Sequence, residues 1–388
     1  MLKNPAWAAL LLALCAGSPA RPESFCDLVD PFIGTEGGGN TYPGAQVPWG
    51  MVSVSPHTDL AAPSGYIHGR KYLYGFGHVQ ISGAGCSDLG NIRLMATIGP
   101  SGFEPDRYRS QFDNERAAPG FYRVDLTTWG TAVEATATER AGFTRFTFPA
   151  RPHGDANILF DMGSRLSPDP GGGASPYLGA VWIVSTTELA GWSESGGFCG
   201  SSSRQRVHFA AVLSRPADSA KVWSDGALLN SGDASGPKVG ALMSWATTKS
   251  EAIMVKVGIS YVSIANARAN LAAELPDWDF PGARLRARAA WETELSRVRA
   301  EGGTPDQRKI FYTALYHMLI HPNVISDVNG EYPGFRGSGP RKITGRAQYS
   351  VFSLWDTYRT VHPFLTLAYP ARQLAMVQSM LEMAVDGG

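Results

Sequence analysis

The chain has 388 residues, with 34 Lys plus Arg against 34 Asp plus Glu and a formal net charge of zero. That length exceeds what one hydrophobic core ordinarily serves, so two domains are expected. The balanced charge, without a long Lys/Arg cluster, argues against nucleic acid and anionic membrane as partners and favours a neutral ligand; 44 Gly, 26 Pro, 17 Phe, 14 Tyr and 10 Trp describe a turn-rich protein with many rigid contact surfaces.

In chain order, Lys3, the apolar run 6–16 and Ser18-Pro19-Ala20 read as an export signal over 1–20, with the mature chain starting near Arg21. The run is too short to remain in a bilayer, and no later segment is long and apolar enough to do so. Cys15 follows Leu14, whereas lipid-anchor processing prefers a small residue there, so the expected location is periplasmic or extracellular without an anchor. In such an oxidising compartment Cys26, Cys86 and Cys199 are expected to form one disulfide and leave one free thiol, the pair being open. They are too scattered for a zinc knuckle.

From 21 to 262 the pattern is short alternating runs between Gly, Pro, Asn and Asp, which predicts strands at 120–126, 132–140, 144–148, 157–161, 181–189, 207–213 and 252–260. Together they predict a large antiparallel β-sandwich with long loops. The segment 167–174, SPDPGGGA, reads as a flexible connection, since no Gly-Lys-Ser/Thr follows. Past 262 the texture turns helical. Linker helices are expected over 263–304, one capped by Ser263 and one opened by Pro281 that runs to about Ala300. A third helix follows over 305–321, with an apolar stripe of Ile310, Phe311, Ala314, Leu315, Met318 and Leu319. Two more are predicted at 352–368, bent by Pro363, and at 370–385.

The chemistry concentrates in 349–359, YSVFSLWDTYR, which places the indole of Trp355, the carboxylate of Asp356 and the guanidinium of Arg359 within five residues. Aromatic faces pack on the C–H faces of a sugar while carboxylate and Arg groups hydrogen-bond its hydroxyls, so these three are candidate sugar-binding residues; a structural Trp beside a helix ion pair is the plainer alternative. The loop Gly37-Gly38-Gly39-Asn40 lacks side chains at three positions and could bring backbone N–H and C=O groups into a cleft, which makes Gly38, Gly39 and Asn40 candidates as well. His78, Ser87 and Asp88 flank a second Gly-rich loop, where they could reach a ligand or fix its neighbours. His317 and His321 are four residues apart, but no zincin-type Glu accompanies them, and 326–330 reads as a turn rather than an EF-hand loop. No metal ligand is assigned.

The runs 30–56 (DPFIGTEGGGNTYPGAQVPWGMVSVSP), GHVQISGAGCSDLG, GGFCG, IFYTALYHMLIHPNVISDVNGEY and SLWDTYR resemble, in order and wording, glycoside hydrolase family 92, the bacterial exo-α-mannosidases. The resemblance implies an N-terminal β-sandwich packed on an (α/α)6 barrel, a site between them, a mannose-containing glycan as substrate, and calcium-dependent, inverting release of terminal mannose. Inversion requires a general acid and a general base about 6.5–9.5 Å apart. The resemblance places both, and most of the calcium site, beyond Gly388; the chain is therefore expected to hold the sandwich, the linker helices and the opening of the barrel over 305–388. Asp356 is then a sugar-binding residue and no catalytic residue is assigned. A secreted carbohydrate-binding β-sandwich module or an inactive remnant is the alternative.

Overall fold

A computed structural model describes residues 24–166 and 177–387, with only the backbone for 151–154. The expected signal segment and the 167–174 connection lie outside the described residues. Two antiparallel sheets face each other. One has eight strands and includes Ser53–Pro56, Arg93–Ile98, Arg151–Asp161, Val239–Thr247 and Ser219–Ser224. The other has ten, running through Gly179–Ser185, Glu188–Gly196, Arg204–Leu213, Glu251–Ser260, Ala141–Phe148, Thr131–Ala137, Phe121–Leu126 and Ser110–Ala118. Residues from both inner faces, among them Leu94, Ile158, Val133, Phe146, Trp245 and Val257, form one continuous core in which these side chains have no exposed surface. This is the large sandwich that the alternating runs predict.

The expected strand at 181–189 is instead two strands, Gly179–Ser185 and Glu188–Gly196, joined by a tight turn and paired Ile183 to Leu189. Thr186 and Thr187 are β-branched and disguise that turn as strand.

Helices cover the outer face of the ten-stranded sheet. Ser263 accepts from Asn266 N at 3.1 Å and opens Ile264–Glu274, as expected. Asp279 caps the next helix, Phe280–Leu295, by accepting from Gly282 N. That helix ends five residues before Ala300, because the following strand of chain is stitched to Tyr312: Ala300 N donates to its hydroxyl, which donates to the Val298 carbonyl. Leu271, Leu275, Phe280 and Ala283 pack on Phe121 and Phe143 of the sheet. At Gly258 an added Cβ would stand 2.3 Å from the Ala267 carbonyl oxygen, so glycine is what lets helix and sheet approach.

Pro305–Met318 begins with a capping box between Thr304 and Gln307. Its buried face is Tyr312, Thr313, Leu315 and Tyr316, whereas Ile310, Phe311 and Ala314 of the expected stripe are exposed. Two tyrosines join Leu315 and Leu319 of the expected stripe at the junction. The span expected as one bent helix is the single turn Leu354–Thr357 followed by Val361–Ala368. Pro363 lies in the first turn of the latter, where its missing N–H costs no helical bond, so it begins a helix rather than bending one. Pro370–Gly387 follows.

Sandwich and helices are joined by a second core of Trp49, Tyr66, Trp291, Tyr312, Tyr316 and Tyr369 with aliphatic neighbours. Trp49 is its hub: it has φ 54°, donates from N to the Leu319 carbonyl at 2.8 Å and accepts from Val324 N at 2.9 Å. A buried polar knot adds to the joint. The Asp327 carboxylate accepts from Ser260 Oγ at 2.7 Å, Asn266 Nδ2 at 2.8 Å and Asn270 Nδ2 at 2.6 Å, tying the last sandwich strand and the first helix to the 326–330 turn. Burial pushes that carboxyl up despite these donors.

Candidate functional site

A cavity of about 560 Å³ opens where the sandwich loops meet the later helices. Its sandwich side is Ser82, Gly83, Ala84 and Phe198; its helical side includes His317, His321, Val351, Ser353, Asp356 and Thr357. The first wall is fixed by a relay of backbone and imidazole. Gly83 N donates to the Asn40 carbonyl at 2.8 Å, which seats the 82–85 loop against the 37–40 loop. Ser82 N donates to His321 Nε2 at 2.9 Å, and His321 Nδ1 pairs with Asn323 Oδ1 at 2.5 Å. With Nε2 accepting, the proton sits on Nδ1 and the ring is neutral. Burial lowers His321 to about 4, so it stays neutral through the physiological range. Burial also lowers His317 to about 4, and its Nε2 has no hydrogen-bond partner.

The second wall depends on an unusual stretch of backbone. Val351 (φ 62°) and Ser353 (φ 42°) both sit in the left-handed region just before the Leu354–Thr357 turn. For a β-branched residue this costs on the order of 1–3 kcal/mol and persists only where the surroundings impose it. The Thr357 hydroxyl donates to the Phe352 carbonyl at 2.7 Å, and Phe352 is buried, which anchors the turn. Asp356 Oδ2 accepts from Ser353 Oγ at 2.9 Å, so the carboxylate is held at the cavity surface. Neutral histidines, hydroxyls, open backbone and one carboxylate make a site for a neutral, hydroxyl-rich ligand.

Of the nine residues singled out in the sequence, Asp356 lines this cavity. Trp355, 75% exposed, and Arg359 lie on an adjoining surface, where the guanidinium stands 5.3 Å from the indole ring. Gly38 (φ 84°) and Asn40 (φ 53°) shape the neighbouring loop, and Gly39 is required there because a Cβ would meet the Gly34 carbonyl oxygen at 2.3 Å. His78 is inside the sandwich, fully buried, with Nδ1 at 2.8 Å from the Ile92 carbonyl. Ser87 donates to the Ala61 carbonyl, and the buried Asp88 carboxylate accepts from Leu89 N and Gln205 Nε2. None of these three lines the cavity. Ser82, Gly83, Ala84, Phe198, His317, His321 and Ser353 were not among the candidates. The signal for several was present: SGAG and GGFCG are glycine-flanked runs, and the two histidines lie one helical turn apart.

The cysteines pair Cys86 with Cys199, and Cys26 is the free, buried thiol, pushed up by burial. Among the described residues no group of three or more His, Cys, Asp or Glu side chains is placed to hold a metal ion. No step below is routed through a calcium ion. No helix of the described residues is long and apolar enough to cross a membrane.

Comparison with known proteins bears on this geometry. Residues 28–260 match the glycosyl hydrolase family 92 N-terminal domain and 266–388 the family 92 catalytic domain. The family GH92 α-mannosidase BT3965 of Bacteroides thetaiotaomicron, solved in complex with mannoimidazole, is similar at 32% identity and a TM-score of 0.86, over 93% of this chain and 48% of that one. The family GH92 inverting mannosidase BT2199 of the same organism is similar at 25% identity and a TM-score of 0.82, over 94% of this chain and 49% of that one. An uncharacterized secreted glycosidase of Arthroderma benhamiae is 25% identical over 85% of this chain and 45% of its own length. The chain spans about half the length of these relatives. With both family domains matched in order along the sandwich and the helices that follow it, the chain belongs to glycoside hydrolase family 92.

Proposed function

We propose that these 388 residues carry the sugar-binding half of an exported exo-α-mannosidase that releases terminal mannose from glycans with inversion. The observation that carries this reading is the cavity between sandwich and helices, with Asp356 held at its surface by Ser353. Its support is the family and the α-mannosidases it resembles, one of them in complex with mannoimidazole. Export is supported by the secreted relative and by a disulfide that suits an oxidising compartment.

The chain's own residues bind and orient. Asp356 accepts hydrogen bonds from sugar hydroxyls, and because its oxygen positions are fixed, it favours one epimer over another. The 82–84 loop, locked by His321, offers main-chain groups that need no reorganisation on binding. Asp356 is the one carboxylate lining the cavity among the described residues. Inverting hydrolysis needs two, an acid for the leaving oxygen and a base for water. In this reading the other half of the family's fold supplies acid, base and calcium, and Asp356 holds substrate.

The test is a ligand-observed NMR titration of the purified chain with methyl α-D-mannoside and methyl α-D-glucoside, each with and without EDTA. The mannoside is expected to bind more tightly and the chelator to leave binding unchanged, while an aryl α-mannoside is not turned over. Absence of mannoside binding would refute the proposal. Turnover of the aryl mannoside would return the acid and base to these residues.

A further inference from the structure

We infer that Phe198 is the aromatic surface on which the sugar ring packs in this cavity, and that the Cys86–Cys199 disulfide is the device that positions it. The inference rests on the mannoside reading above. A pyranose needs, besides hydroxyl partners, an apolar face for its C–H groups. Trp355 was the sequence's candidate for that face, but its exposed ring is engaged with Arg359 and does not line the cavity. Phe198 is the one phenyl or indole ring that does, among the described residues. It is half-buried and packs against the sandwich core together with Ala84, so one side of it is anchored.

The backbone that presents Phe198 is the loop joining the paired strands Glu188–Gly196 and Arg204–Leu213. Gly197, Cys199 and Gly200 have φ of 80°, 50° and 80°, which places a non-glycine residue in the left-handed region immediately after the ring. The described hydrogen bonds of 197–201 close within the loop itself: Gly197 N to the Ser203 carbonyl, Gly200 N to that of Gly197, and Ser201 N to that of Phe198. The link to the opposite part of the wall is the disulfide, which joins residues 113 apart in sequence. Each of its ends adjoins a lining element, since Cys86 follows the 82–84 run and Cys199 follows Phe198. The cross-link therefore holds the open backbone of one loop and the aromatic ring of the other at a fixed separation. Without it, Cys199 is free to leave the left-handed region, and the ring moves with it.

Four forms of the protein test this: wild type, Phe198→Ala, the Cys86→Ser/Cys199→Ser double variant, and the triple variant, each titrated with methyl α-D-mannoside and melted on the same sample. Phe198→Ala is expected to weaken binding about tenfold, with only a modest fall in melting temperature from the core contact it gives up. The double cysteine variant loses a comparable factor, and the triple variant loses no more than either, because all three remove one contact. A disulfide that merely stabilised the fold would lower the melting temperature and leave the affinity of the remaining folded protein intact, which overturns the positioning role. Should the double variant not fold, wild type reduced with dithiothreitol below its melting transition gives the same comparison. Phe198→Ala binding as wild type does overturns the aromatic assignment alone. Wild type that binds no mannoside overturns both this inference and the function on which it rests.

Discussion

The sandwich and the last helices of the chain treat apolar side chains in opposite ways. Inside the sandwich, Phe146, Trp245, Val257 and their neighbours have no exposed surface. In Val361–Ala368 and Pro370–Gly387, Leu367 is 86% exposed, Val385 80% and Leu381 62%, and the buried face is confined to His362, Leu365, Met376 and Ser379. The sandwich closes a core on its own two sheets. The helices turn one narrow face to Trp49 and Tyr369 and leave a broad apolar one open among the described residues. The candidate site sits on the boundary, with one wall from each.

Acid should act through buried histidines in both regions, His57 and His78 in the sandwich and His317 and His321 beside the cavity. Burial lowers His57 to about 3, with the charge of Arg93 adding to it, and lowers His78 to about 4, whereas both return to about 6.5 on unfolding. A depressed folded-state value means that the unfolded chain takes up the protons. Stability is thus intact above about pH 6.5 and lost as pH falls toward about 3, with roughly 3 kcal/mol per histidine already lost by about pH 4. Asp327, raised by burial, works in the opposite sense. Urea titrations at pH 7, 6, 5 and 4 should show the midpoint falling steeply; a midpoint independent of pH would mean that these rings are not buried neutral.

Phe146→Ala, in the closed core, should cost about 3–5 kcal/mol in the same assay. Asp327→Ala strands the donors of Ser260, Asn266 and Asn270 and should cost about 1–3 kcal/mol, with the sandwich and helical signals ceasing to melt together. Leu367→Ser, on the open face, should change stability by less than about 0.5 kcal/mol while reducing self-association in sedimentation velocity. If Leu367→Ser proved as costly as Phe146→Ala, the contrast between the two regions would fail.

Strands with alternation and helices with caps were legible in the sequence because their signals are local: GFYRVDL alternates, and Ser263 stands where its oxygen meets Asn266 N. The short strands Ala45–Gln46, Ser53–Pro56 and Phe76–Gly77 were not, since they are buried throughout and lack a period. The apolar stripe of Pro305–Met318 misled for a related reason: Tyr312 and Tyr316 take the junction because their rings, and the Tyr312 hydroxyl, meet partners supplied by distant segments. Of the cavity's lining, Asp356 was singled out in the sequence, but Phe198 adjoins a disulfide to a residue 113 positions away and His321 accepts a backbone contact from Ser82, and no spacing along the chain encodes either.

The central claim is that sandwich and helices share one sugar-binding cavity, and a crystal soaked with methyl α-D-mannoside tests it most directly. The account predicts a single sugar between the 82–84 loop and Asp356, with a hydroxyl on the Asp356 carboxylate and a ring face against Phe198. A sugar bound instead on the exposed Trp355 and Arg359 surface, with the cavity empty, would contradict it.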